Sequence, residues 1–285
     1  MVEQIRIDSL LPPEMAQRAE YVGTRKAEMP VVTTFVLAVL AGAFIALGAI
    51  FATTVATGAG ATLPFGLGRL LTGLVFCLGL ILVIVAGAEL FTGNNLIVMA
   101  WASRRVSTQA LLRNWVIVYI GNFVGAVLTA LLMFFSRQYE FADGALGQTA
   151  LVIASGKVNL DFVQAVVLGV LCNALVCLAV WLTFSARTTT DKVMAILFPI
   201  TAFVAAGFEH SVANMYFIPV GLFIKQFDPA YVGALGVDLT SLTWGSFFLR
   251  NLLPVTIGNI IGGAVLVAAV YWFVYLRTRQ QGSGQ

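Results

Sequence analysis

His210 is the only histidine in the chain, and it stands beside Glu209 inside an otherwise uncharged stretch from Val193 to Ile224. Imidazole changes charge near neutral pH, so in an apolar setting it can lend a proton to a solute or attract an anion. The plainer alternative is a neutral ring bonded to a backbone carbonyl. Glu89 interrupts Leu70 to Ser103 in the same way, and Thr92, three residues on, carries a hydroxyl that could bond a polar guest or His210. Two readings stay open for Glu89 and Glu209: they act on a passing solute, or they cap freed backbone N–H groups and lock the chain locally. Catalytic patterns are missing. With no Gly-x-Ser-x-Gly, no Walker A and no His-Glu-x-x-His, neither a catalytic residue nor a cofactor is expected. Ser211 adjoins His210, but neighbours on a helix do not face one another, so a hydrolase is the weak alternative. One histidine with three cysteines in apolar runs (Cys77, Cys172, Cys177) gives no metal-ligand spacing.

The elements that hold these residues must lie in lipid. Of 285 residues, 60% are hydrophobic and 10% charged, and the mean hydropathy is +0.95, more apolar surface than a soluble fold of this size can hide. The net charge of +3 is small and its basic residues are scattered, which disfavours a nucleic-acid partner. A crossing needs about 20 apolar residues. Val31 to Val55, Asn114 to Ser136, Phe162 to Ala186 and Asn251 to Leu276 each supply one, and a glycine-rich loop around Thr57 to Pro64 follows the first. Leu70 to Ser103 and Val193 to Ile224 read as two further helices, each interrupted near its middle by Glu89 or by Glu209 and His210. The expectation is therefore an all-α membrane protein of six transmembrane helices, with the second and fifth broken.

Self-comparison divides these six into two halves. Residues 86–94 match 206–214 as Ala-Gly-x-Glu-x-x-x-x-Asn, and Asn114 to Gly125 aligns with Asn251 to Gly262 through a shared Ile-Gly-Asn-x-x-Gly. Gly42 pairs more weakly with Gly169. Because three crossings precede the second copy, the halves (about 31–136 and 159–277) are inverted relative to each other, a 3+3 arrangement of channels and transporters. Unwound backbone is tolerated in a membrane only where it is buried in protein or faces a cavity, so the two breaks should meet near the midplane. Asn122 and Asn259, in the matched motifs, are placed either to bond the loops or simply within glycine-based helix packing. Eleven of the sixteen Lys and Arg residues fall on one side of the predicted topology, which puts both termini in the cytoplasm. Residues 1–30 read as a cytoplasmic segment with an amphipathic surface helix from Pro12 to Arg25, 31–277 as a single transmembrane domain, and 278–285 as a disordered tail.

From about Leu10 to Leu276 the sequence resembles the formate/nitrite transporter family. The residues that carry the likeness are 88–93 (AELFTG), 172–181 (CNALVCLAVW), 207–215 (GFEHSVANM) and 254–263 (PVTIGNIIGG). The resemblance implies an aquaporin-like protomer and a homopentamer with one pore per subunit. It also implies passage of formate, with nitrite, acetate or lactate as other substrates, across a bacterial inner membrane, passively or coupled to protons. By position it implies His210 and Thr92 at the pore centre, Asn173 and Asn259 as polar lining, and Glu209 orienting the loop. Phe76 and Phe203 would form an outer constriction, Leu80, Phe91 and Val176 an inner one, and Lys157 would gather anions outside. On base rates alone these apolar residues are ordinary core or lipid-facing side chains. The loop Leu63 to Gly66 and the stretch Leu253 to Gly263 look most like formate channels. Phe91-Thr92-Gly93 is nearer the nitrite-channel pattern, and Asn94 departs from both. A membrane receptor or scaffold without flux is the remaining alternative, since it would tolerate plugged breaks.

Overall fold

The computed structural model describes residues 9–277, and the tail expected at 278–285 lies outside the described residues. Helices joined by short turns make up the described chain, with no strand among the described residues. Those that position the site are, in order, α1 (Pro12–Glu28), α2 (Val31–Ala56), α3 (Phe65–Ile81), α4 (Val98–Ala102), α5 (Thr108–Phe135), α6 (Ala145–Val158), α7 (Phe162–Thr183), α8 (Thr189–Ala206), α9 (Ser211–Phe227) and α10 (Trp244–Tyr275), with a short helix Pro229–Leu235 between the last two. Six are long and apolar enough to cross a membrane: α2, α3 with its continuation to Gly87, α5, α7, α8 and α10. The expected loop after α2 contains a single helical turn, Ala59–Thr62.

Both breaks are present; the second divides its helix evenly, with 18 residues before it and 17 after, whereas the first leaves a long segment before it and only short turns after. α3 continues through a wider, π-type turn (Leu82–Gly87), so Phe65–Gly87 is 23 residues long, about 34 Å at 1.5 Å per residue and enough for a full crossing. The chain then reverses through Ala88 to Thr92 and returns inward before a tight turn (Gly93–Ile97) leads into α4. α8, 18 residues long, likewise ends at a turn, Gly207 to His210, that leads into α9. The repeated Ala-Gly pair explains the reversal. Gly87 and Gly207 adopt φ of +83° and +77°, a left-handed conformation that only glycine takes without steric penalty.

The two halves interlock through antiparallel contacts. Along α3 and α8, Arg69 Nε donates to Ala205 O at 2.9 Å, Gly73 lies against the Thr201 carbonyl, and Cys77 Sγ reaches Leu197 O at 3.5 Å. Between α5 and α10, Tyr119 and Thr256, equivalent positions of the aligned third helices, share a hydrogen bond of 2.7 Å. Away from the breaks, Tyr139 donates to Asp228 at 2.8 Å, and burial raises its hydroxyl above the ordinary tyrosine value, keeping it a donor.

α1 is expected as a helix lying on the surface, apart from the transmembrane domain. Instead it is docked. Met15, Ala16, Ala19, Gly23 and Ala27 form one buried stripe, small enough for Gly23 to approach Ile97 and Ala100 at backbone distance. α1 also touches the end of α10, so both ends of the described chain lie at one face of the bundle.

Candidate functional site

The site begins with two copies of one polar clamp. Lys26 Nζ on α1 bonds Glu89 Oε1 at 2.7 Å and Asn94 Oδ1 at 2.9 Å. Asn94 Nδ2 donates to Glu89 Oε2 (2.7 Å) and to Asn114 Oδ1 (2.9 Å), while Asn114 Nδ2 returns to Lys26 O (3.1 Å). Around the second break, Lys157 Nζ on α6 bonds Glu209 Oε1 at 2.7 Å. Asn214 Nδ2 donates to Glu209 Oε2 and to Asn251 Oδ1, both at 2.7 Å, and Asn251 Nδ2 reaches Lys157 O at 2.9 Å. α1 and α6 are thus structural equivalents in the repeat. The matched Asn94/Asn214 and Asn114/Asn251 gave a signal for this network, but the lysines fall outside the aligned segments. Of the two readings of the acids, these contacts favour the structural one: both carboxylates are buried and fully engaged in holding loops.

Asn122 and Asn259 complete each loop. Asn122 Nδ2 donates to Ala38 O and Glu89 O, and its Oδ1 accepts the Phe91 N–H at 2.9 Å. Asn259 does the same with Gly169 O, Glu209 O and the Ser211 N–H. Each asparagine therefore binds the loop of its own half, so Asn259, expected as pore lining, has its polar atoms committed to backbone. Asn173, also expected in the lining, donates to Thr92 O at 3.3 Å and Asn259 O at 2.7 Å.

What these clamps hold in place is one contact. His210 Nε2 lies 3.0 Å from Thr92 Oγ1, joining the two loops across the repeat. The ring is 3% exposed, and its Nδ1 accepts the Ala213 N–H at 3.0 Å, capping α9. With Nδ1 an acceptor, the hydrogen of the neutral ring sits on Nε2 and points at Thr92. A second proton would have to displace the Ala213 bond.

A cavity approaches this pair from either side. One, about 280 Å³, is lined by Phe76, Phe203, His210, Lys157 and Thr53; the other, about 470 Å³, by Leu80, Leu90, Lys26, Lys192 and Leu37. Leu37 and Thr53 lie near opposite ends of α2, so the cavities enter from opposite faces. Phe76 and Leu80 are one turn apart on α3, about 6 Å. His210 lines the first cavity; Thr92 lines neither, but Gly93 next to it and Leu90 two residues before it line the second. The sequence-predicted constrictions are partly reassembled here. Phe76 and Phe203 meet edge to face with centroids 5.6 Å apart, and Leu80 lines the second cavity. Phe91 instead rests its ring on Tyr119 (4.8 Å) and Trp115 (6.0 Å), and Val176 is buried in the same core; Leu90, which was not singled out, lies beside Leu80 in the lining. Lys157 lines its cavity while bound to Glu209.

A family profile described as formate/nitrite transporter matches residues 13–273. The formate channel FocA of Escherichia coli K12 is 48% identical over 274 residues, covering 95% of this chain and 96% of the relative. The formate channel FocA of Haemophilus influenzae is 43% identical, covering 91% and 92%. Among solved structures, a pentameric formate channel with formate bound superposes with a TM-score of 0.81 at 45% identity, over 87% of this chain and 98% of that one. A second, described as an FNT family ion channel, gives 0.78 at 28% identity, over 92% and 98%. With six apolar helices, an inverted repeat with two broken members and relatives matched nearly end to end, this multi-pass membrane protein belongs to the formate/nitrite transporter family.

Proposed function

We propose that the chain is a channel, not an enzyme, that carries formate across a bacterial inner membrane, with both termini cytoplasmic and one pore in each protomer of a homopentamer. The observation that carries this reading is the pair of cavities that enter from opposite faces and end one helical turn apart at the His210–Thr92 contact. The likeness to formate channels, one of them a pentamer, supports the substrate and the assembly. The bias of Lys and Arg supports the orientation.

Magnitudes decide the form in which the acid passes. Moving a bare carboxylate through an apolar slit costs tens of kcal/mol on a Born estimate, and a helix terminus returns only about 0.3–2 kcal/mol. Protonating a carboxylate some three pK units below ambient pH costs about 4 kcal/mol, at 1.36 kcal/mol per unit. Neutral passage is therefore favoured. An anion entering the cavity at Lys157 meets the Nε2–H of His210 and takes the place of Thr92 as its acceptor; the ring takes a second proton from solvent on Nδ1, displacing the Ala213 bond, gives the Nε2 proton to the anion, and as the neutral ring exchanges its Nδ1 proton for one on Nε2 through solvent. Thr92 then holds the ring in the orientation that presents Nε2.

Purified protein in liposomes tests this directly. Formate flux is expected well above that of protein-free vesicles, and His210→Phe, which has no proton to give, is expected to abolish proton-coupled uptake. Flux and pH response unchanged in the variant would remove His210 from the mechanism. A nitrite flux exceeding that of formate would make nitrite the substrate, and no flux of either anion would leave a receptor or scaffold.

A further inference from the structure

α9 is enclosed by protein on nearly every side. From Ser211 to Ile224 every residue is buried except Phe217. His210, Ala213, Asn214 and Phe217 all line the 280 Å³ cavity, and their spacing places them on a single helix face with His210 at its base and Phe217 two turns above. Phe217 is thus the one residue of this segment that keeps appreciable exposed surface, and it lies in the cavity wall.

The ring there is part of a continuous chain of contacts. Lys157 Nζ lies 5.3 Å from its centroid. Phe217 stacks on Phe76, with centroids 6.5 Å apart and planes at 19°. Phe76 meets Phe203 edge-on at 5.6 Å, and Phe203 lies 5.9 Å from the His210 ring, with planes at 20°. Phe76 is buried to 3% exposure, so its ring can swing away from Phe203 only where a neighbour yields.

We infer that Phe217 is a specificity-determining residue of this passage, a backstop that keeps Phe76 against Phe203 and so limits how wide a carboxylate can be and still reach His210. This rests on the transport reading above. The side chain touches the Phe76 ring of the constriction and Lys157, and it makes none of the hydrogen bonds that hold Glu209, whose partners are Lys157, Asn214 and Asn251. Shortening it should therefore leave formate passage in place and relax the exclusion of larger acids. Acetate exceeds formate by one methyl group, the smallest increment the slit can be asked to reject.

The test compares acetate and formate uptake into liposomes for the wild type, Phe217→Leu and Phe217→Trp. The ratio of the two fluxes is internal to each preparation, so a variant that assembles poorly still reports its selectivity. Phe217→Leu is expected to raise the acetate-to-formate ratio by roughly tenfold, the scale on which a close-fitting apolar site discriminates one methyl group, and Phe217→Trp to lower it. A ratio unchanged in both variants, with formate flux present in the wild type, would overturn the inference while leaving the transport reading intact. Absence of formate flux in the wild type would overturn the transport reading, and this inference with it.

Discussion

Glu209 is satisfied from three directions, by Lys157 Nζ at 2.7 Å, Asn214 Nδ2 at 2.7 Å and Asn251 Nδ2 at 3.2 Å, and it is 5% exposed. Removing one member of a buried ion pair strands the other charge, whereas removing both does not. Glu209→Leu is accordingly expected to destabilise the protein by about 3–5 kcal/mol, and Lys157→Met introduced with it to recover most of that loss. Thermal unfolding of the detergent-solubilised protein measures both; a double variant no more stable than Glu209→Leu would show that the pair's charges are not what matters. The Arg137–Glu140 pair offers the contrast. Its side chains are 68% and 41% exposed, so Arg137→Ala should leave the unfolding midpoint essentially where it is. At this scale the sequence shows an imidazole and two acids in lipid-bound segments, but not what the acids do. The partners of Glu89 and Glu209 are lysines 63 and 52 positions away, on helices that hydropathy does not mark as part of the membrane core.

Helix crossings place the asparagines that hold the loops. Where α2 passes α5, a Cβ on Gly42 would lie 2.1 Å from the Asn122 carbonyl oxygen, and one on Gly125 1.9 Å from that of Val39. The inverted copy repeats this between α7 and α10, with Gly258 and Gly262 pressed to 2.2 and 2.1 Å from the oxygens of Val166 and Val170. Both readings of the matched Gly-Asn motifs therefore hold: glycines bring the backbones together, and the asparagine between them reaches the loop. Gly262→Ala must push α10 off α7 against unyielding backbone, at a cost of about 1–3 kcal/mol or more, and should lower formate flux as well because Asn259 moves with the helix. Gly156→Ala in α6 meets nothing within 4 Å and should raise stability by about 0.5–1 kcal/mol. Unfolding midpoints of opposite sign would bear this out, and equal midpoints would refute it. The weak Gly42–Gly169 match was one turn out of register: Asn122 bonds Ala38 O where Asn259 bonds Gly169 O, so Gly169 corresponds to Ala38 and Gly42 to Asn173. The reversal at each break was not legible, because a charge marks where a helix stops but hydropathy does not say how the chain turns there.

Two inverted halves produce two cavities that face opposite ways, one of them lined by the single imidazole, and this arrangement sets the electrical character of the whole molecule. Each cavity carries a lysine from a clamp, Lys26 or Lys157, paired with its glutamate; Phe76, Phe203 and His210 line one cavity, Leu80 and Leu90 the other. Formate that crosses as the protonated acid takes no net charge with it. Transport should then respond to a pH difference and ignore an electrical one, since a potential acts at about 2.3 kcal/mol per elementary charge per 100 mV only on charge that is moved. In liposomes, an acid exterior is expected to drive formate inward at equal formate concentrations. A potassium diffusion potential imposed at equal pH should leave the rate unchanged. If the rate instead follows the imposed potential in direction and size, formate crosses as the anion, and the imidazole is an electrostatic attractor with water admitted through the slit.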